Sequence, residues 1–156
     1  MEGRLEPATP EEIERILRET WGLPVVSVHR NYMPPDVEGL VYRDEWGTVQ
    51  GLITWHIEGE RAEMVSLEAF QMGRHIGGRM LDEAEKALRQ RGVKRLMIAT
   101  TNDNLRALAF YVRRGYRLIA VHLDALDRVR VAKPQVPHTG IDGLPLRDMM
   151  ELEKEL

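Results

Sequence analysis

Three stretches in the first half of the chain distribute apolar and polar residues in a way typical of β-strands. They are Gly39–Arg43, Val49–Ile57 and Ala62–Phe70, all rich in β-forming residues, with the clearest alternation in the third. Turns at Asp44–Gly47 and Glu58–Glu60 separate them. Because short turns join strands that run in opposite directions, this pattern predicts an antiparallel meander.

A helix is predicted before these strands, beginning at Thr9. The Thr9 side chain can cap it, the proline that follows suits the first helical position, and Glu12 completes a capping box. Apolar residues then form one stripe, which ends before Gly22. Arg4–Pro7 is predicted to be an edge strand, and Pro24–Pro35 to be irregular or partly extended.

Helices and strands alternate in the second half of the chain. Ile76–Arg91 has apolar residues on one helical face, and its other face carries Glu85 and Arg89 as an i,i+4 pair. The short apolar strand Arg95–Thr100 follows, and the helix between them makes it parallel to Ala62–Phe70. The remaining predicted elements are a helix at Asn104–Arg114, a strand at Tyr116–His122, a short helix at Asp124–Ala132, a Pro/Gly-rich excursion at Pro134–Pro145 and a closing strand at Asp148–Glu155.

Length and composition fit one mixed α/β domain over residues 1–156, with 43% hydrophobic and 30% charged residues. The net charge of −3 gives no reason to expect nucleic acid or an anionic membrane as a partner. The absence of cysteine excludes disulfides, thiolate metal sites and a cysteine acyl-enzyme. The histidines have no metal-binding spacing, so we expect no metal. Without a signal-peptide pattern or a run of ~20 apolar residues, a cytoplasmic location is expected.

The segment Met72–Gly78 joins the third strand to the long helix. A Gly-containing turn at a helix N-terminus presents free backbone N–H groups at the positive end of the helix dipole, which fits a phosphate-bearing ligand. The segment is neither a P-loop nor a Gly-x-Gly-x-x-Gly turn. On its own it is equally compatible with a plain connector.

A second motif follows the strand Arg95–Thr100, where Asn104 is a natural helix cap. From it runs the spacing Asn104-x-x-Ala107-x-x-Phe110-Tyr111-x-x-x-Gly115-Tyr116. Together with the turn at Met72–Gly78, this spacing resembles the GNAT superfamily of acyl-CoA-dependent N-acyltransferases. The resemblance implies an α/β (α+β) domain of GNAT type, with a mixed, mostly antiparallel sheet and helices on both faces. It also implies direct transfer of an acetyl group from acetyl-CoA to a primary amine.

The same resemblance implies which residues bind acetyl-CoA. The turn holds the pyrophosphate and pantetheine through backbone N–H groups, and Asn104 lies near the pantetheine arm. His75 stands where the family usually has a glycine, and its Cβ brings bulk toward the phosphates and disfavours a positive φ. The implied CoA-binding residues are Leu67, Met72, Gly73, Arg74, His75, Ile76, Gly77, Gly78 and Asn104.

Tyr111 is the residue that the resemblance places near the thioester sulfur. The leaving thiolate needs a proton. A tyrosine can supply it, because its unperturbed pKa of about 10 is close to the pKa of the leaving thiol. The other interpretation of Tyr111 is a core aromatic residue on an amphipathic helix. A backbone N–H near Leu67 is expected to stabilise the negative charge that develops on the carbonyl oxygen.

The acceptor amine must also lose a proton before it can attack. Glu63 and Glu68 are equally good candidates for the base, and His56 is a third. The alternative is that both carboxylates are solvated and that His56 is structural. Trp46, Trp55 and His56 are candidates for an acceptor pocket, although Trp55 fits the core better.

Two other functions stay open at this point. One is an acyl-CoA-binding sensor without turnover, and the other is an unrelated nucleotide-binding or interaction domain that shares only the Gly-containing turn. If the chain is an acetyltransferase, as the resemblance implies, its acceptor is expected to be a small-molecule amine or a protein amino group. An exposed strand edge near the C-terminus also makes a homodimer possible.

Overall fold

Nine strands and four helices make up the fold, which a computed structural model describes for residues 3–71 and 75–156. The strands are β1 (Arg4–Pro7), β2 (Val25–Val26), β3 (Asn31–Tyr32), β4 (Glu38–Arg43), β5 (Val49–Glu58), β6 (Arg61–Ala69), β7 (Arg95–Thr101), β8 (Arg117–His122) and β9 (Met149–Glu155). The helices are α1 (Pro10–Thr20), α2 (Ile76–Gln90), α3 (Leu105–Arg113) and α4 (Ala125–Ala132), and two short 3₁₀ turns lie at Pro34–Asp36 and Ile141–Gly143.

Seven strands form one sheet in the order β1-β4-β5-β6-β7-β9-β8, and β2 and β3 form a separate small ladder. Within the described residues only β6 and β7 pair in parallel, and the other ladders are antiparallel. The predicted meander of β4, β5 and β6 and the parallel arrangement across α2 are therefore confirmed.

Helices cover both faces of the sheet, as the fold prediction requires. Successive residues of a strand point to opposite faces, so Leu52 packs under α1 while Ile53 packs under α2. The α1 stripe of Ile13, Ile16 and Leu17 is buried on the first face.

Two predicted helix caps are present with the expected geometry. The Thr9 hydroxyl accepts from the Glu12 N–H at 3.1 Å, and the Glu12 carboxylate accepts from the Thr9 N–H at 2.9 Å. At the start of α3, the Asn104 carbonyl oxygen accepts from the Ala107 N–H at 3.1 Å. These bonds satisfy N–H groups that a helix cannot pair internally.

Two features of the second half differ from the sequence-based expectation. Strand β9 inserts between β7 and β8, so β8 is the edge of the sheet. Glu85, expected on the solvent face of α2, is buried; its carboxylate accepts from the Tyr116 hydroxyl at 2.7 Å and from the Lys154 ammonium at 2.9 Å. Glu85 does form the predicted i,i+4 contact with Arg89, at 3.5 Å. Its closer ion-pair partner is Lys154, which lies on β9, far away in sequence.

The parallel ladder between β6 and β7 ends early. Its last pair is Met64 with Ile98, and beyond it the two strands diverge while each keeps its antiparallel partner on the other side. A β-bulge coincides with this point: Val65 is an extra residue on β6, opposite the step from Thr54 to Trp55 on β5. The divergence opens the sheet at its centre. Over residues 3–71 and 75–156, no helix has the length and apolar character needed to cross a lipid bilayer.

Candidate active site

A cavity of about 420 Å³ fills the gap between the diverging strands. Val65, Ser66 and Leu67 of β6 line one side, and Ala99, Thr100 and Thr101 of β7 line the other. The cavity continues to Asn104 and Tyr111 on α3, so both residues of the second motif reach it. Its size is in the range of small-molecule sites.

The Leu67 N–H points into this gap. The Phe70 N–H donates to the Gln50 carbonyl at 2.8 Å, which makes that pair a hydrogen-bonded pair of the β5–β6 ladder. Hydrogen-bonded pairs alternate with non-bonded ones in an antiparallel ladder, so the backbone groups of Leu67 face away from β5. Because the β6–β7 ladder has already ended, they face the cavity as donors and acceptors without a strand partner.

His75 forms the start of α2 in an uncommon backbone conformation. Its φ of 55° and ψ of 26° lie in the left-handed region. His75 therefore adopts the positive φ that its Cβ disfavours, which costs an L-residue roughly 1–2 kcal/mol. Such residues concentrate at functional sites. Of the predicted turn, Met72, Gly73 and Arg74 lie outside the described residues.

The first turn of α2 offers backbone donors rather than side chains. As at any helix start, the first N–H groups, those of Ile76, Gly77 and Gly78, have no partner within the helix itself. The Ile76 side chain is buried in the core, so only its backbone is available to a ligand. A Cβ added at Gly77 would meet no described atom within 4 Å, which leaves open space beside these donors.

Tyr111 is buried, 7% exposed, and lines the cavity. Its ring packs edge-on against Phe110 at 5.2 Å and Tyr116 at 5.8 Å. Burial, and secondarily the negative charge of Glu68, raises the pKa of Tyr111 well above its usual value of 10.0. Its hydroxyl has no hydrogen-bond partner among residues 3–71 and 75–156, so it is a protonated donor available to a ligand.

Glu63 and Glu68 both have a raised pKa, chiefly because they are buried. Glu63 accepts hydrogen bonds from the Ser27 and Tyr32 hydroxyls, and these oppose the shift. Glu68 accepts from the Trp21 indole. Glu63 lines the cavity, whereas Glu68 is not among the described residues that do.

A second, more polar pocket of about 310 Å³ adjoins the first, and Glu63 lines both. His56 lies there, with Nδ1 2.8 Å from the Asp36 carbonyl and Nε2 3.3 Å from Arg30, so both ring nitrogens are engaged. This favours a structural role for His56. The other proposed acceptor residues do not reach either pocket: Trp55 is in the core, and Trp46 is 78% exposed on the β4–β5 turn.

Several residues of the site have no signal in the sequence. Ser27 and Tyr32 donate hydrogen bonds to Glu63 from the segment Pro24–Pro35, which the sequence predicts to be irregular or partly extended without indicating this contact. Lys133, at the end of α4, lines the cavity and is almost fully buried. The Pro/Gly-rich excursion that follows α4 contributes Val136 to the wall of the cavity.

Comparisons with known proteins agree with this geometry. Residues 8–116 match the model of the acetyltransferase (GNAT) family. The uncharacterized protein YxbD of Bacillus subtilis (strain 168) is 34% identical over 145 residues, 92% of this chain and 91% of that protein. An IAA acetyltransferase from Bacillus cereus ATCC 14579 shares the fold with a TM-score of 0.79 at 19% identity, over 99% of both chains. A GNAT family acetyltransferase from Elizabethkingia anophelis with acetyl-CoA bound has a TM-score of 0.75 at 16% identity, again over 99% of both chains.

Proposed function

Because the chain belongs to the GNAT acetyltransferase family, we propose that it transfers the acetyl group of acetyl-CoA directly to a primary amine. Membership makes the protein an acetyltransferase; the direct route and the roles of individual residues are the proposal. We treat residues 1–156 as one acyltransferase domain, with a small-molecule amine or a protein amino group as acceptor. The cytoplasmic location stays a prediction.

One observation carries the proposal: an unpaired backbone donor, Leu67 N–H, and an unpaired acidic side chain, Tyr111, face the same cavity. A thioester at this point would have its carbonyl oxygen beside the first and its sulfur beside the second. Leu67 would stabilise the negative charge on oxygen, and Tyr111 would protonate the sulfur as the C–S bond breaks and the C–N bond forms.

The nucleotide end of acetyl-CoA would be held at the N-terminus of α2. The N–H groups of Ile76, Gly77 and Gly78 would donate to the phosphates, where the helix dipole adds to their attraction. Asn104 would donate to the pantetheine arm through its amide N–H₂, because the α3 cap uses its carbonyl oxygen and the residue lines the cavity.

Glu63 is the better candidate for the base. It lines the cavity, its raised pKa brings it closer to neutrality, and it borders the polar pocket through which an amine could approach. Ser27 and Tyr32 fix its carboxylate by donating to both oxygens. Glu68 shares the raised pKa but is not among the described residues that line the cavity, so we do not assign it the proton transfer.

The test is incubation of the protein with acetyl-CoA and a panel of primary amines. We expect release of free CoA thiol together with an acetylated amine of the correct mass. Tight acetyl-CoA binding without any thiol release would instead favour the sensor function. A preference for ATP or NAD over acetyl-CoA in calorimetry would contradict both.

Gly77→Ala should weaken acetyl-CoA binding without weakening the fold. The added methyl meets no described atom, and alanine suits a helix better than glycine by roughly 0.5–1 kcal/mol, so the free energy of unfolding should not fall. The methyl would push the phosphates away from the first N–H groups of α2. Loss of one N–H to phosphate hydrogen bond should raise the Kd for CoA by at least about tenfold. Calorimetry and thermal unfolding of the same sample check both; an unchanged Kd would remove this turn from the site.

We also propose that the protein forms a homodimer through the edge strand β8. Three β8 side chains, Leu118, Ile119 and Val121, are large, apolar and exposed. An edge strand with free backbone groups and apolar side chains is a template for a second copy. Val121→Lys should convert the dimer to monomer in light scattering, whereas Val131→Lys, which changes an even more exposed valine on α4, should not. A monomeric wild-type protein would refute this pairing.

A further inference from the structure

Lys133 is a buried cation on the wall of the active-site cavity. It is 7% exposed, and its ammonium donates to the backbone carbonyls of Trp21 at 2.6 Å and Gly22 at 3.4 Å. No carboxylate of the described residues lies within ion-pair distance of it, and burial lowers its pKa. Buried charges are normally paired with an opposite charge. A buried lysine that lines a ligand cavity without such a partner therefore indicates that an anionic group of the ligand binds there.

The positive charge extends along α4. Arg128 donates to the Ser27 and Val28 carbonyls, and Arg130 donates to the Pro137 carbonyl at 2.7 Å. Lys133, Arg128 and Arg130 therefore each donate hydrogen bonds to backbone carbonyls of a different segment around the cavity. Such bonds hold the loops in place but do not neutralise the charge. Among the described residues, only Arg130 of these three cations has a carboxylate within ion-pair distance, Asp127 at 3.6 Å.

The wall of the cavity to which Lys133 belongs is largely apolar. Its apolar side chains belong to the β2 strand, α4 and the segment that follows it. They are those of Val25, Val26, Leu126, Val129, Val136 and Leu146. A ligand on this wall would therefore combine an apolar body with one anionic group.

Resting on the proposed function, we propose that the acceptor is an amine that also carries a carboxylate, of the α-amino acid class with an apolar side chain. Glu63 and Lys133 line the same cavity, carry opposite charges and do not contact each other. They match the two charged groups of an amino acid: the amine lies toward Glu63 and the carboxylate binds the third N–H of Lys133. The two carbonyls that Lys133 already binds place the ammonium but leave its charge for the ligand.

The experiment compares leucine, leucinamide and 3-methylbutylamine as acceptors, which share a side chain and differ in the carboxylate. We expect kcat/KM for leucine to exceed that for both neutral amines by at least about tenfold. Leucinamide is the stringent comparison, because its amine is the more readily deprotonated. Lys133→Met should remove the preference by raising the KM for leucine, with little effect on 3-methylbutylamine; Lys133→Arg should keep part of it. Lys86→Met, an exposed lysine of α2, is the control and should change neither.

A second measurement needs neither turnover nor a variant. In the presence of CoA, the wild-type protein should bind N-acetylleucine at least about tenfold more tightly than N-acetyl-3-methylbutylamine. Equal affinity for the two, or an equal loss with all acceptors in Lys133→Met, would overturn the inference while leaving acetyl transfer intact. Preferential binding of N-acetylleucine without any CoA release would support the anion site and overturn the proposed function instead.

Discussion

Tyr111→Phe should lower kcat by about 10²- to 10³-fold at saturating substrates while leaving the Kd for acetyl-CoA within about threefold. The ring keeps its packing against Phe110 and Tyr116, and only the hydroxyl is removed. That hydroxyl has no partner among the described residues, so its loss should not lower the free energy of unfolding. Stopped-flow release of CoA thiol, calorimetry and thermal unfolding separate the three quantities.

Tyr116→Phe is the matched control, because its ring lies 5.8 Å from that of Tyr111 but its hydroxyl serves the fold. It donates to the buried Glu85 at 2.7 Å, so we expect a loss of about 1–3 kcal/mol in stability and little change in kcat. An unchanged kcat in Tyr111→Phe would remove this residue as the acid. A kcat loss of equal size in both variants would point to packing rather than proton donation.

Glu63→Gln should lower kcat/KM by about 10²-fold near neutral pH. The amide keeps the shape of the carboxylate, with its oxygen accepting from one of the two hydroxyls of Ser27 and Tyr32 and its N–H₂ donating to the other, but it cannot take a proton from the amine. Because burial raises the pKa of Glu63, the acid limb of the wild-type pH profile should lie above the usual 4.5 and should be absent from the variant. Glu68→Gln is the comparison; if it causes the loss instead, Glu68 is the base.

The stability of Glu63→Gln tells a catalytic loss from an unfolded protein. A carboxyl with a raised folded-state pKa binds its proton more tightly when folded, so it destabilises the fold increasingly as the pH rises from the unfolded value toward the folded one. Removing the charge relieves this destabilisation. Denaturant unfolding at pH 7 should therefore give a variant at least as stable as the wild type, and a marked drop would mean that the side chain holds the fold.

Local sequence signals predicted most of the fold. The Thr9–Glu12 capping box, the Asn104 cap and the apolar stripe of α2 each depend on residues within a few positions, and all are present. The insertion of β9 between β7 and β8 is a pairing of distant segments, which no local spacing encodes. Glu85 was misplaced for the same reason, because its partners Tyr116 and Lys154 come from elsewhere in the chain.

The site was predictable to the extent that it depends on motifs. The spacing from Asn104 to Tyr111 placed both residues on the wall of one cavity. The choice between Glu63 and Glu68 needed the structure, since it depends on which carboxylate the diverging strands expose. Lys133 was beyond sequence reasoning, because its burial follows from the docking of α4 against the end of α1.

The bulge in the β5–β6 ladder determines which face of the sheet Glu63 and Glu68 occupy. Residues 63 and 68 are an odd number of positions apart and would point to opposite faces of a regular strand. Their partners His56 and Leu52 are an even number apart, so the extra residue on β6 turns both carboxylates to one face. A one-residue deletion at Val65 would keep every acidic residue yet send one of the two to the far side of the sheet. Strand register, as much as residue identity, is what this enzyme must preserve.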